Sequence, residues 1–330
     1  VERPKDGNTE HRNTDQEVSR NVKQNGPHPS RRTALVAGAG AGTAFVTALA
    51  GSGTASASAA PAGELGRQLG ELEERYAARL GVFARNMATG RTVRHRADER
   101  FPMCSVFKTL AAAAVLRDLD DSHLGRRIHY TQGDVDKSGY APVTGKPENI
   151  AGGLTVRELC AAAVSESDNA AANLLLRDLG GPRAITRFCR SLGDGVTRLD
   201  RWEPELNSAE PWRRTDTTSP RAVGTTYARL ILGRALDVPD RAKLTGWLVA
   251  NTTNMERFRA GLPDDWILAD KTGGGEQYGV ANDVGVVHPP HGAPLVLSVL
   301  STKLDPAGPT DNPLVAEAAR LVAAHLVPGT

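Results

Sequence analysis

The chain has 330 residues, with 40 basic against 38 acidic side chains and a formal net charge of +2. No basic stripe interleaved with aromatics runs along it, which argues against a nucleic-acid partner. Its eight His residues fall in no HExxH or other metal-ligand spacing, so no metal is expected. Cys104, Cys160 and Cys189 are an odd number, so at most one disulfide can form and at least one thiol stays free.

Residues 1–29 are polar and without apolar period, the signature of disorder. Ser30-Arg31-Arg32-Thr33 then precedes a charge-free run from Ala34 to Gly53, followed by Ala55-Ser56-Ala57-Ser58-Ala59. That order of charged, apolar and small-residue regions is an export signal, and the paired arginines point to the twin-arginine route. A membrane anchor is the competing reading, but the Gly/Thr-rich run and its Ala-x-Ala end favour cleavage near Ala57 or Ala59. Val36-Ala37-Gly38-Ala39-Gly40 mimics a dinucleotide-binding loop without the βαβ unit or the acidic residue such a loop needs, so no cofactor is expected. The expected product is secreted, without an anchor, and large enough for one domain or two intimate lobes.

Leu65, Leu69, Leu72 and Tyr76 recur at helical spacing over 63–79. Gly81–Met87 and Thr92–Arg96 flank Ala88-Thr89-Gly90 as a β-hairpin. An apolar, Ala-rich helix runs from Ser105 to Leu119, and helical patterns recur at 155–165, 168–179, 182–191 and 220–234. Strands follow at Ile267-Leu268-Ala269, 280–287 and 295–301, and a last helix covers 310–326. The first and last parts form one sheet-containing lobe, with an all-helical lobe inserted between them.

Chemistry concentrates in four segments. Ser105-Val106-Phe107-Lys108 places a hydroxyl in a helix's first turn, behind Phe101-Pro102, where backbone N–H dipoles face any oxyanion. Lys108, three residues on, shares that helix face. Alone, the pair reads as an N-cap Ser and a surface Lys; the apolar surroundings and the other motifs reverse that reading. In Ser167-Asp168-Asn169, Asp168 suits a helix N-cap, Ser167 offers a proton-shuttling hydroxyl and Asn169 an amide for a substrate carbonyl. Asn173, one turn on, shares Asn169's face and can brace a neighbouring loop. Lys271-Thr272-Gly273-Gly274-Gly275 follows the strand Ile267-Leu268-Ala269 with an anion clamp, Lys271 and Thr272, and with small residues that let a substrate approach the backbone. The Gly274 and Ser105 N–H groups form a candidate oxyanion hole. Between these lies Arg198–Asp216, an aperiodic segment with Trp202, Pro204, Pro211 and Trp212 that reads as a compact loop, with Arg198–Asp200 and Arg201–Asp216 as candidate ion pairs. It carries Glu203, a candidate base for activating water, and Asn207, which can hold the same water.

Together these motifs, with Leu199-Asp200-Arg201-Trp202-Glu203-Pro204-Glu205-Leu206-Asn207 and Asp270-Lys271-Thr272-Gly273, resemble a class A β-lactamase of the secreted actinomycete type over the whole mature length. The resemblance implies an α+β fold, an α/β/α sandwich. An antiparallel sheet lobe (about 60–101 and 249–330) would carry N- and C-terminal helices, an all-α lobe (about 102–248) would be inserted, and the site would lie between. Residues 1–57 would be the disordered region and signal, and 58–330 the catalytic domain. It implies a monomer that hydrolyses penicillins, with cephalosporins as a further class. Ser105 would be acylated, Lys108 or Glu203 would act as acylation base, Glu203 would drive deacylation, and Ser167 would relay a proton to the ring nitrogen. Tyr140 matches the aromatic at the cleft mouth, and Glu203-Pro204 matches a frequent cis peptide. No Arg stands on the strand after Lys271-Thr272-Gly273. Arg257 is the best match for the missing carboxylate-binding charge, ahead of Arg259. The family's frequent disulfide would pair Cys160 with the position of Ala112, and another, seen in carbapenem-hydrolysing members, Cys104 with that of Gly275; neither can form. A D-alanyl-D-alanine peptidase, sharing the first three motifs, and a β-lactam receptor that stays acylated are the alternatives.

Overall fold

The computed structural model describes residues 62–327. The segment expected to be an export signal, with its expected cleavage site, lies outside the described residues. Helix α1 (Ala62–Tyr76) leads into the hairpin β1 (Arg79–Asn86) and β2 (Thr92–His95). Helices α2 (Phe107–Asp118), α3 (Val156–Ser165), α4 (Asn169–Asp178), α5 (Arg183–Ser191), α6 (Pro220–Ile231) and α7 (Val238–Val249) follow. Strands β3 (Ile267–Gly274), β4 (Ala281–His288) and β5 (Leu295–Thr302) precede the closing helix α8 (Asn312–Leu326).

The strands form one antiparallel sheet in the order β2-β1-β5-β4-β3. Side chains alternate between its faces. Val82, Leu297 and Val299 pack with Leu69 and Leu72 of α1 and with Leu314 and Val322 of α8. Phe83, Val284 and Val296 point the other way, towards Val223 and Tyr227 of α6 and the helical lobe. Covered on both faces, β4 and β5 are almost continuously buried, polar residues such as Asn282, Asp283 and Ser298 included. The α+β class expected from the sequence is the one found.

Helix α2 runs through the middle of the helical lobe, and every residue from Phe107 to Leu116 is buried. A helix apolar all round belongs in a core, and its run of four alanines lets neighbours approach closely. Lys108 is therefore committed to an interior position by the helix that carries it.

Two expectations shift. The helix expected from Ser105 starts at Phe107, behind a 3-10 turn Cys104–Val106, while Pro102 pairs with Thr217 as a short strand. Helix α7 is an addition; its apolar signal is thin, with only Leu244 and Leu248 fully buried. All three cysteines are buried and unlinked. Among the described residues no helix is long and apolar enough to cross a membrane.

Candidate active site

The turn carrying Ser105 is clamped from three sides. Asn282 of β4 donates its amide to the carbonyls of Pro102 (2.9 Å) and Met103 (3.3 Å). The Tyr227 hydroxyl donates to Val106 O at 2.9 Å. Strand β3 lies so close that a methyl group on Gly273 would sit 2.9 Å from Met103 O, which only glycine avoids. Cys104, at φ 46°, makes the left-handed step that presents Ser105 to the cleft.

In the first turn of α2, Lys108 Nζ donates to Ser167 O (2.7 Å) and Asn169 Oδ1 (2.5 Å) and lies 3.1 Å from Glu203 Oε1. Both members of this ion pair are fully buried. Burial pulls the Lys108 pKa down, and the Glu203 carboxylate opposes that pull. Ser105 Oγ makes a long hydrogen bond, 3.5 Å, to the same Glu203 oxygen. Lys108 thus reaches Ser105 through Glu203 Oε1 rather than by a hydrogen bond of its own.

Glu203 is held by its backbone and by its second oxygen. Asn173 donates to Glu203 O (2.9 Å) and accepts from Glu203 N (3.0 Å), the bracing expected of it. Asn207 Nδ2 donates to Glu203 Oε2 at 2.5 Å. The other end of that amide, Asn207 Oδ1, is buried without a hydrogen-bond partner on the protein. The loop is tied at its base by the expected ion pairs, Arg198 with Asp200 (2.5 Å) and Arg201 with Asp216 (2.6 Å). The Glu203-Pro204 peptide is cis.

Asp168 caps α4 through Ala171 N, as expected, and does more. Its buried carboxylate also accepts from Val143 N, Thr144 N and the Thr144 hydroxyl, all within 2.9 Å. This fixes the segment that places Tyr140, 57% exposed, at the cleft mouth. Asn169 spends its oxygen on Lys108 and one amide proton on Ser138 O (2.9 Å), leaving the second proton on the cleft side.

At the opposite end, Lys271 is fully buried and donates only to Thr272, at its carbonyl (3.0 Å) and hydroxyl (3.5 Å). Burial, followed by the positive charge of Lys108, pulls its pKa down to about 7. Arg257 donates to Gly273 O (2.8 Å), Asn282 O (2.7 Å) and Asn312 Oδ1 (2.8 Å), and burial lowers its pKa too. Among the described residues neither cation has a carboxylate within ion-pair distance. Arg259 turns away, bonding Pro263 O and Trp266 O.

These elements enclose a cleft of about 580 Å³. Ser105, Tyr140, Ser167, Asn169, Asn207, Arg257, Thr272, Gly273 and Gly274 line it. Lys108, Glu203 and Lys271 lie buried, Lys108 and Glu203 next to Ser105, Asn169 and Asn207 and Lys271 next to Thr272. Sequence reasoning missed Thr253, whose hydroxyl bonds that of Thr272, and Asn282, which pins the nucleophile turn. Neither sits in a recognisable motif. Among the described residues no group of three or more His, Cys, Asp or Glu is placed to hold a metal ion.

The model of the β-lactamase enzyme family matches residues 64–326. The chain belongs to that family. A β-lactamase from Kitasatospora aureofaciens is 69% identical over 303 residues, spanning 90% of this chain and 97% of the relative. Among solved structures, the β-lactamase from Streptomyces albus G is 62% identical, covers 79% of this chain and 98% of its own, and superposes with a TM-score of 0.78. The class A β-lactamase from Clostridium kluyveri is 39% identical, covers 78% of this chain and 97% of its own, and gives 0.75. The five-stranded sheet with its flanking helices is thus the class A β-lactamase fold.

Proposed function

We propose that this member of the β-lactamase family hydrolyses the ring amide of β-lactams through an ester on Ser105. The substrate carboxylate seats against Lys271, Thr272 and Arg257, two of which are buried cations without a counter-ion. Its ring carbonyl enters between the N–H groups of Ser105 and Gly274, and Asn169 holds the side-chain amide beside Tyr140. Ser105 Oγ attacks the carbonyl carbon, and its proton passes to Glu203 Oε1, the acceptor it already touches. The C–N bond breaks, and Ser167 delivers a proton to the departing nitrogen; Lys108, 3.4 Å from Ser167 Oγ and 3.1 Å from Glu203 Oε1, replaces that proton and takes up the one on Glu203, which is a carboxylate again. Water held between Glu203 and Asn207 Oδ1 then attacks the ester. Glu203 takes its proton, the Ser105–acyl bond breaks, and the proton passes from Glu203 to Ser105 Oγ as the acid leaves.

The observation that carries this reading is the geometry around Glu203. One carboxylate touches the nucleophile, the buried lysine and Asn207, whose spare oxygen is a ready acceptor for water. A D-alanyl-D-alanine peptidase would lack this loop, and a receptor that stays acylated has no use for it. The motif at Ser30–Ala59 supports secretion by the twin-arginine route. The proposed enzyme acts as a monomer on penicillins, with cephalosporins as a further class.

The test is Glu203→Ala with a chromogenic cephalosporin and a penicillin. Without the Glu203 charge the buried Lys108 gives up its proton more easily and takes over as the acylation base, while deacylation should slow by about a hundred- to ten-thousandfold, and mass spectrometry should find the drug retained on Ser105. Rapid clearance of that adduct would remove Glu203 from its assigned role.

A further inference from the structure

Trp212 takes no part in the chemistry above, yet it stands 68% exposed on the loop that carries Glu203. Its ring is held edge-to-face by Tyr278, with centroids 5.5 Å apart. It forms one wall of a groove of about 1020 Å³, larger than the catalytic cleft and sharing no lining residue with it. The groove runs between the end of α1 and the segment after β5. Ala77, Leu304 and Pro309 supply further apolar surface, and Leu304 is 79% exposed.

The charges around this groove are unevenly satisfied. Arg79 pairs with Glu99 (3.1 Å) and lies 3.9 Å from the centre of the Phe101 ring. Arg96 pairs with Glu73 (2.8 Å), and Lys303 with Asp311 (2.6 Å). The walls' cations are therefore all neutralised. Two carboxylates are not: Glu74 has no side-chain partner among the described residues, and Asp305 accepts only from Ala307 N (2.9 Å). An exposed indole, apolar walls and two carboxylates without an ionic partner among the described residues are complementary to an organic cation. A cation is drawn to the indole by its quadrupole and to the carboxylates by charge, while its apolar body covers Leu304 and Pro309.

We propose that the groove between Trp212, Glu74 and Asp305 is a second ligand site, taking small organic cations with an aromatic or alicyclic body. Its volume suits a molecule of that size. The proposal concerns binding alone and stands whether or not the hydrolytic path above is right.

Benzyltrimethylammonium is the probe, titrated into the intact enzyme while the Trp212 indole N–H resonance is followed, assigned by its loss in Trp212→Phe. A saturable shift with a Kd on the order of 1 mM is expected. Glu74→Gln with Asp305→Asn should weaken it about fivefold or more while hydrolysing β-lactams like the parent, which shows that the variant is folded. Benzyl alcohol, without the charge, should bind at least about fivefold more weakly than the cation. Three results would each overturn the proposal: no saturable shift, equal affinity in the double variant, or displacement of the probe by a β-lactam, which would place it in the catalytic cleft.

Discussion

The two ends of the catalytic cleft solve the problem of a buried cation in opposite ways. At the Ser105 end, Lys108 meets Glu203 at 3.1 Å and gives its remaining hydrogen bonds to Ser167 and Asn169. At the far end, Lys271 and Arg257 find only carbonyls, a hydroxyl and an amide oxygen. A buried ion costs several kcal/mol unless an opposite charge compensates it. The first end is closed electrostatically; the second is open, with no carboxylate within ion-pair distance among the described residues, and burial lowers the pKa values of Lys271 and Arg257. An enzyme whose substrate brings its own carboxylate can leave this compensation to the substrate.

The largest effect should come from breaking the closed end. Lys108→Ala leaves Glu203 buried and unpaired, and we expect a stability loss of about 3–5 kcal/mol together with loss of turnover, read from denaturant midpoints and initial rates. A loss below about 1 kcal/mol would mean that the pair is not what holds this end together. At the open end, Arg257→Ala should raise KM for carboxylate-bearing penicillins by about tenfold or more, the value of a charge-assisted hydrogen bond, with kcat changed less. Unchanged kinetics would remove Arg257 from the clamp.

A change of pH sharpens the same contrast. Lys271 carries its charge below its pKa and loses it above, so kcat/KM for such substrates should fall as pH rises past about 7, mainly through KM. Removing the like charge of Arg257 should move that limb upward. A profile flat to pH 10 would show Lys271 with an ordinary lysine pKa. The smallest effect belongs to the seam between the two ends. A methyl group on Gly275 would lie 2.9 Å from Asn207 O, so Gly275→Ala should shift the loop by a few tenths of an ångström and slow deacylation severalfold, with KM little altered.

The motif residues were legible because their chemistry constrains both their type and their spacing: Ser105, Lys108, Ser167, Glu203 and Lys271 all meet around one cleft. Arg257 was legible only through resemblance, since in sequence it is one arginine among several. Asn282 and Asp168 show what stays hidden. Each works by binding backbone groups far away in the chain, Asn282 at Pro102 and Asp168 at Thr144, and no local pattern marks such a partner. Helix α7 escaped because one buried stripe of two leucines gives little period. The start of α2 was misjudged because Pro102, read as a helix opener, serves as the end of a short strand.

No covalent cross-link ties the described fold together: Cys104, Cys160 and Cys189 are all sealed inside as thiols. The described fold therefore needs no oxidant to reach its final shape, so a reducing and an oxidising compartment place the same demands on the polypeptide.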